Sequence, residues 1–146
     1  MSVSFINKLF KSKSNDDFCT AVVLAAGNSQ RMGKDKILMP LGGAPVIAHT
    51  LKALQSAECI DEIVVVTKYE RLQELADICH DHGISKASKV VVGGKTRLES
   101  SLIGVSNADE RAKYTAIHDG ARPFVTNSLI ERVVHSAHQH GASAPA

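Results

Sequence analysis

The chain is poor in the features that mark several large protein classes. It has no Trp, two Tyr and four Phe in 146 residues. So few rings exclude an aromatic platform for stacking single-stranded nucleic acid. A net charge of +2 is too small for a general nucleic-acid binder. The three cysteines, Cys19, Cys59 and Cys79, are widely spaced and form no CxxC pair. That argues against a disulfide framework or a zinc site and for a reducing cytoplasm. No apolar run approaches the ~20 residues of a membrane span. Neither GxxxxGK[ST] nor GxGxxG occurs, so the P-loop and the dinucleotide fingerprint are both absent.

What remains is ordinary for a soluble domain, with 44% hydrophobic and 22% charged residues. Residues 1–17 carry Lys8, Lys11 and Lys13 but no long apolar stretch or small-residue cleavage site, and read as a flexible leader. Residues 18–146 read as one domain.

Strand and helix patterns alternate through that domain. Short β-rich runs predict strands over Phe18–Leu24, Ile63–Thr67, Lys89–Val92 and Tyr114–His118. Between them, apolar periodicity predicts helices. One follows Pro45 and carries Ile47, Ala48, Leu51 and Leu54. A second covers Tyr69–His82 and stops at Gly83. A third, shorter, covers Thr96–Ser106. The last, Thr126–His140, is capped by Thr126 or by Ser128 in a box with Glu131. This alternation implies an α/β fold, a Rossmann-like, mainly parallel sheet with helices on both faces. In such sheets ligands bind beyond the carboxyl ends of the strands. The ending, Ala142–Ala146, reads as the start of a further strand, so the domain is expected to be incomplete at the C-terminus.

Three loops fall at strand ends. After the first strand, Leu24-Ala-Ala-Gly27 lets the main chain approach a ligand, and Asn28 and Ser29 tolerate turn geometry. Successive N–H groups there form an anion nest. Arg31 offers a guanidinium fork, and Lys34 and Lys36 offer point charges. A surface turn with solvated lysines is the plain alternative. The apolar strand before the loop and the three cations after it favour a polyphosphate.

The stretch Leu24–Lys36, Leu-Ala-Ala-Gly-x-Ser-x-Arg-Met-Gly-x-x-Lys, resembles the loop of GT-A-like nucleotidyltransferases. On its own it fits molybdenum-cofactor, sugar-phosphate and isoprenoid-pathway members alike. Two later segments are more specific. Gly93-Gly94-Lys95-Thr96-Arg97-Leu98-Glu99-Ser100-Ser101 resembles the GGxxRxxS segment of 2-C-methyl-D-erythritol 4-phosphate cytidylyltransferases, and His118-Asp119-Gly120-Ala121-Arg122-Pro123 resembles their HD[AG]ARP segment. Related pentitol-phosphate enzymes carry a similar motif, often with a bulkier residue where Ala121 stands.

The resemblance implies transfer of CMP from CTP to methylerythritol phosphate with release of pyrophosphate, in non-mevalonate isoprenoid biosynthesis. The alternatives are a pentitol-phosphate or molybdenum-cofactor nucleotidyltransferase, or a CTP-binding fragment without turnover. It further implies that Arg31 and Lys36 are the catalytic pair at the α-phosphate, and that the backbone of Ala25, Ala26, Gly27, Asn28 and Ser29 wraps ribose and phosphates. Gly94, Lys95 and Ser100 match the positions that read cytosine. Asp119, Gly120 and Arg122 fall to the acceptor side. Asp119 is open to three roles: a Mg²⁺ ligand, a ribose contact or an acceptor contact. Arg122 meets the acceptor phosphate or pairs with Asp119. His118 alternates to the opposite face and reads as a hydrogen-bonded structural histidine. His135, His138 and His140 lack a third ligand type for zinc. The family is longer than this chain, and its full-length members are expected to be cytoplasmic homodimers, with no nucleic-acid or membrane partner.

Overall fold

A computed structural model describes residues 17–27 and 35–145. Four strands form one parallel sheet: β1 (Cys19–Leu24), β4 (Glu62–Thr67), β5 (Ala87–Val92) and β6 (Tyr114–Asp119), in the order β5-β4-β1-β6. Two short strands, β2 (Pro40–Leu41) and β3 (Ala44–Pro45), make a separate antiparallel hairpin. The helices are α1 (Val46–Ser56), α2 (Leu72–Asp81), α3 (Arg97–Ser106) and α4 (Asn127–His140).

The chain starts at β1, steps outward to β4 and β5, then returns to place β6 on the other side of β1. With right-handed crossovers, the two helices of the outward path fall on one face and the helix of the return crossover falls on the other. Accordingly, α1, α2 and α4 pack on one face, where Ile47, Leu51, Leu54, Leu75, Ile130 and Val134 meet Ala21, Val23, Ile63 and Val65. On the other face Val22, Val64 and Val66 form a smaller core under α3. Strands buried on both faces explain the near-continuous apolar runs Ala21-Val-Val-Leu24 and Ile63-Val-Val-Val66. In α1, Ile47, Leu51 and Leu54 are at most 1% exposed. Each such side chain contributes about 1.5–3 kcal/mol of transfer free energy.

The boundaries differ from sequence expectation in instructive places. β5 begins at Ala87, two residues before the expected start at Lys89. Ser88 and Lys89 are tolerated there because β5 is an edge strand. The segment expected to open α2 is a separate 3₁₀ turn, Tyr69–Arg71, with the α-helix proper starting at Leu72. Pro45 is the N-cap of α1 and a hairpin residue, not its first turn. Thr126 caps α4, accepting the Leu129 N–H at 3.3 Å. Thr96 and Glu99 form a capping box at the start of α3.

Candidate active site

The reversal of strand order lies between β1 and β6, and such a switch point opens a crevice at the carboxyl ends. Main-chain bonds stitch those ends together. The Ala25 N–H donates to Val66 O at 2.7 Å, the Gly93 N–H to Thr67 O at 2.8 Å and the Gly120 N–H to Leu24 O at 2.8 Å. Thr50 Oγ1 of α1 donates to Gly120 O at 2.8 Å from the buried side. The loops after β1, β5 and β6 therefore share one rim.

On the β1 loop, Ala25 is buried, Ala26 half-buried and Gly27 exposed. The sequence-predicted Asn28, Ser29 and Arg31, with Lys34, lie outside the described residues. The far end of the loop is anchored. Asp35 pairs with Arg71 Nε at 3.0 Å, and Ile37 is 6% exposed in the core. Lys36, between them, is exposed.

The β5 loop is built by glycines. A Cβ on Gly93 would stand 2.7 Å from Ser100 Oγ and 2.9 Å from the Ala26 Cβ, so the absence of one lets the β5 and β1 loops touch. A Cβ on Gly94 would stand 2.3 Å from the Glu99 Cβ. Glu99 Oε2 accepts the Lys95 N–H at 2.6 Å and the Thr96 N–H at 3.3 Å. Ser100 is buried, and its Oγ accepts the Gly94 N–H at 3.2 Å. Its hydroxyl thus shapes the loop from beneath, while Lys95 is exposed.

On β6, Asp119 and His118 point to opposite faces. Asp119 lies on the α3 side. Its Oδ1 accepts from Arg97 Nη2 at 3.0 Å, and its Oδ2 pairs with Arg122 Nε at 3.2 Å. Gly120 is buried and Arg122 exposed. Sequence spacing gave no hint of the Arg97–Asp119 pair, which joins the start of α3 to the end of β6. The capping box Thr96-x-x-Glu99 does have a sequence signal, the S/T-x-x-E pattern ahead of an apolar run.

His118 is half-buried, and its Nδ1 lies out of solvent with no hydrogen-bond partner at normal geometry among the described residues, although the Asp119 main chain lies close enough to support the ring. Burial disfavours the imidazolium and pulls its pKa below the ordinary 6.5, and Arg122 adds to this, although the nearby Asp119 main chain and charge act the other way. The sign of the consequence follows from proton uptake. Below pH ~6.5 the unfolded chain binds a proton that the folded chain resists, so stability declines until the lowered folded pKa is passed. The melting temperature is therefore expected to fall between pH 7.5 and pH 5.5. A His118→Asn chain should show a smaller drop over that interval; an equal drop in both would remove His118 as the cause.

The other histidines are occupied differently. His138 lies against the Tyr114 ring at 4.2 Å, and His135 Nε2 contacts Gln139 at 3.1 Å. A groove between α2 and the β5 edge, lined by Ala76, Cys79, His80 and Lys89, is separate from the three loops. Burial pushes the Cys79 thiol up to about 11, so it is not a reactive thiolate.

Comparison with known proteins bears on this rim. The family model described as IspD, 2-C-methyl-D-erythritol 4-phosphate cytidylyltransferase, matches residues 19–146. A curated protein of that name from Clostridium botulinum (strain Langeland) is 36% identical over 127 residues, covering 86% of this chain and 56% of the relative. Another from Prosthecochloris aestuarii is 35% identical over 138 residues, covering 86% and 57%. Among solved structures, 4-diphosphocytidyl-2C-methyl-D-erythritol synthase from Anaerococcus prevotii superimposes with a TM-score of 0.72 at 26% identity, covering 86% of this chain and 52% of that one. The chain thus spans a little over half the length of the curated relatives it matches. With a matching family model across nearly all the described residues, the chain belongs to the 2-C-methyl-D-erythritol 4-phosphate cytidylyltransferase family.

Proposed function

We propose that this chain carries the nucleotide side of a cytidylyltransferase that moves CMP from CTP to 2-C-methyl-D-erythritol 4-phosphate. The observation that supports this most is the convergence of the β1, β5 and β6 loops, each bearing one of the three motif segments, on a single stitched rim.

In this reading a phosphate oxygen of the acceptor attacks the α-phosphorus of CTP. The new P–O bond forms as the bond to the β-phosphate breaks, and pyrophosphate leaves. The reaction needs no side-chain nucleophile. It needs alignment and positive charge where the phosphoryl oxygens gain negative charge. Arg31 and Lys36 take the α-phosphate oxygens, and Lys36 is suited to this because Asp35 and Ile37 fix the chain on either side of it. The main chain of Ala25–Ser29 follows ribose and phosphates. Gly94 and Lys95 meet the cytosine edge on a loop that Ser100 and Glu99 hold rigid. Asp119, Gly120 and Arg122 face the acceptor.

Mg²⁺ suits this donor set. The ion usually takes one or two carboxylates and fills its shell with substrate phosphates and waters, and Asp119 supplies one carboxylate at the rim. Each of its oxygens gives one lone-pair direction to a guanidinium and keeps another. When bound, the ion would neutralise triphosphate charge. No helix among the described residues is long and apolar enough to cross a membrane. We place the protein in the cytoplasm, and its full-length relatives' counterpart in a homodimer.

Calorimetric titration of the four nucleoside triphosphates tests the assignment. CTP is expected to bind in Mg²⁺, with Lys36→Ala weakening it about tenfold, as loss of one charge-assisted contact implies. No preference for CTP would sink the assignment. Pyrophosphate release with methylerythritol phosphate but not with a pentitol phosphate would separate the acceptors. Binding without release would leave a nucleotide-binding role alone.

A further inference from the structure

Arg97 crosses the carboxyl ends of the sheet. It leaves the first turn of α3, next to the Gly93–Thr96 loop, and reaches Asp119 Oδ1 on β6 at 3.0 Å. Strands β4 and β1 lie between the two loops that it joins. Arg122 takes the other oxygen, so each carboxylate oxygen has its own guanidinium. Among the described residues, no other hydrogen bond or ion pair links these loops.

The pair is a poor stabiliser. The Arg97 side chain is 66% exposed, and ion pairs that face water contribute little to stability. The start of α3 is already fixed by its capping box, and its middle by packing on Val22 and Val66. A side chain with little value to the fold that spans the rim has a different consequence. It fixes one carboxylate orientation, and it transmits a displacement of one loop to the other.

We propose that Arg97 is a positioning residue of the nucleotide site, holding Asp119 in one orientation and coupling the Gly93–Thr96 loop to the Asp119–Arg122 loop. This rests on the reading above that both loops serve one nucleotide. A guanidinium is required because its planar fork sets direction as well as charge. A lysine at this position keeps the charge and loses the direction.

The test uses this chain with Arg97→Ala, Arg97→Lys, Asp119→Asn and the Arg97→Ala/Asp119→Asn double variant. CTP affinity in Mg²⁺ is measured by calorimetry, and the Gly94 and Lys95 amides are followed by NMR. Arg97→Ala is expected to weaken CTP about five- to tenfold, because Asp119 and the Gly93–Thr96 loop lose their fixed orientation, with a melting temperature close to the parent's. Arg97→Lys should recover only part of that loss. The double variant should bind no worse than Asp119→Asn alone. Asp119→Asn should shift the Gly94 and Lys95 amides in the parent and leave them in place once Arg97 is alanine. Parent-like CTP binding by Arg97→Ala, additive losses in the double variant, or amide shifts that persist without Arg97 would each overturn the inference and leave the functional reading standing. Absence of CTP binding by the parent chain would overturn the functional reading itself and the inference with it.

Discussion

A Glu62→Ala chain is expected to melt about 12 °C below the parent, corresponding to a loss of about 4 kcal/mol at ~3 °C per kcal/mol for a domain of this size. Glu62 is 6% exposed at the amino end of β4. Its Oε2 accepts from Thr20 Oγ1 on β1 at 2.7 Å and from the Asp109 N–H at 2.8 Å, and its Oε1 accepts from Ser88 Oγ on β5. One carboxylate thus holds three strands and the segment that leads into β6. Removing it leaves two hydroxyls and one N–H without their acceptor, and an unpaired buried donor costs about 1–3 kcal/mol. Desolvation pushes the Glu62 pKa up, but the bonds from Ser88, Asp109 and Thr20, with Lys89, outweigh it and leave the pKa below 4.5. The associated stability is fully present above that value and is lost as the pH falls below it. Glu62→Gln, which preserves size, should cost roughly half as much. Thermal unfolding of the two variants at pH 7 decides the matter; a change under about 1 kcal/mol for Glu62→Ala would mean that water replaces the carboxylate without loss.

The second large effect concerns Gly104. A valine there is expected to cost about 3 kcal/mol. Helix propensity alone predicts the opposite sign, since glycine in a helix interior is about 1 kcal/mol worse than alanine. Packing decides. A Cβ at this position would lie 2.2 Å from Val22 Cγ1 and 3.0 Å from Val66 Cγ2. Both valines are 0% exposed on the central strands, so the helix must move instead. Displacing α3 also displaces Ser100 and Arg97, so CTP affinity should fall alongside stability. Denaturant titration of Gly104→Ala and Gly104→Val orders the two. The expectation is a larger loss for valine, and a stabilised alanine variant would contradict it.

These two positions show where sequence reading succeeds and where it stops. The strands β1 and β4 were legible because burial on both faces leaves uninterrupted apolar runs, and α1 because its apolar residues recur on one face. The three motif segments were legible because each is contiguous. The hairpin β2–β3 was not anticipated, since two-residue strands carry no periodicity. Glu62 stands just before the expected strand Ile63–Thr67; its burial depends on Thr20, Ser88 and Asp109, which no spacing rule connects. Likewise Ser100 reads as a hydroxyl for a base, and its bond to the loop's own Gly94 N–H was not foreseen. Arg97 and Asp119 are each visible in a motif, but their pairing depends on the order in which strands assemble.

That order has a kinetic side. β1 carries the first of the three rim loops and pairs with β4 on one edge and β6 on the other, Cys19 standing opposite Tyr114 across most of the described chain. Contacts of such long range form late, because the entropy of closing the intervening chain is lost before they reward it. During synthesis β1 emerges before the other three strands of the sheet and waits longest for its second partner. Until β6 arrives, an apolar strand edge stays open to any other extended chain, so this domain should refold best when dilute, and its yield should fall with concentration faster than its stability alone would suggest.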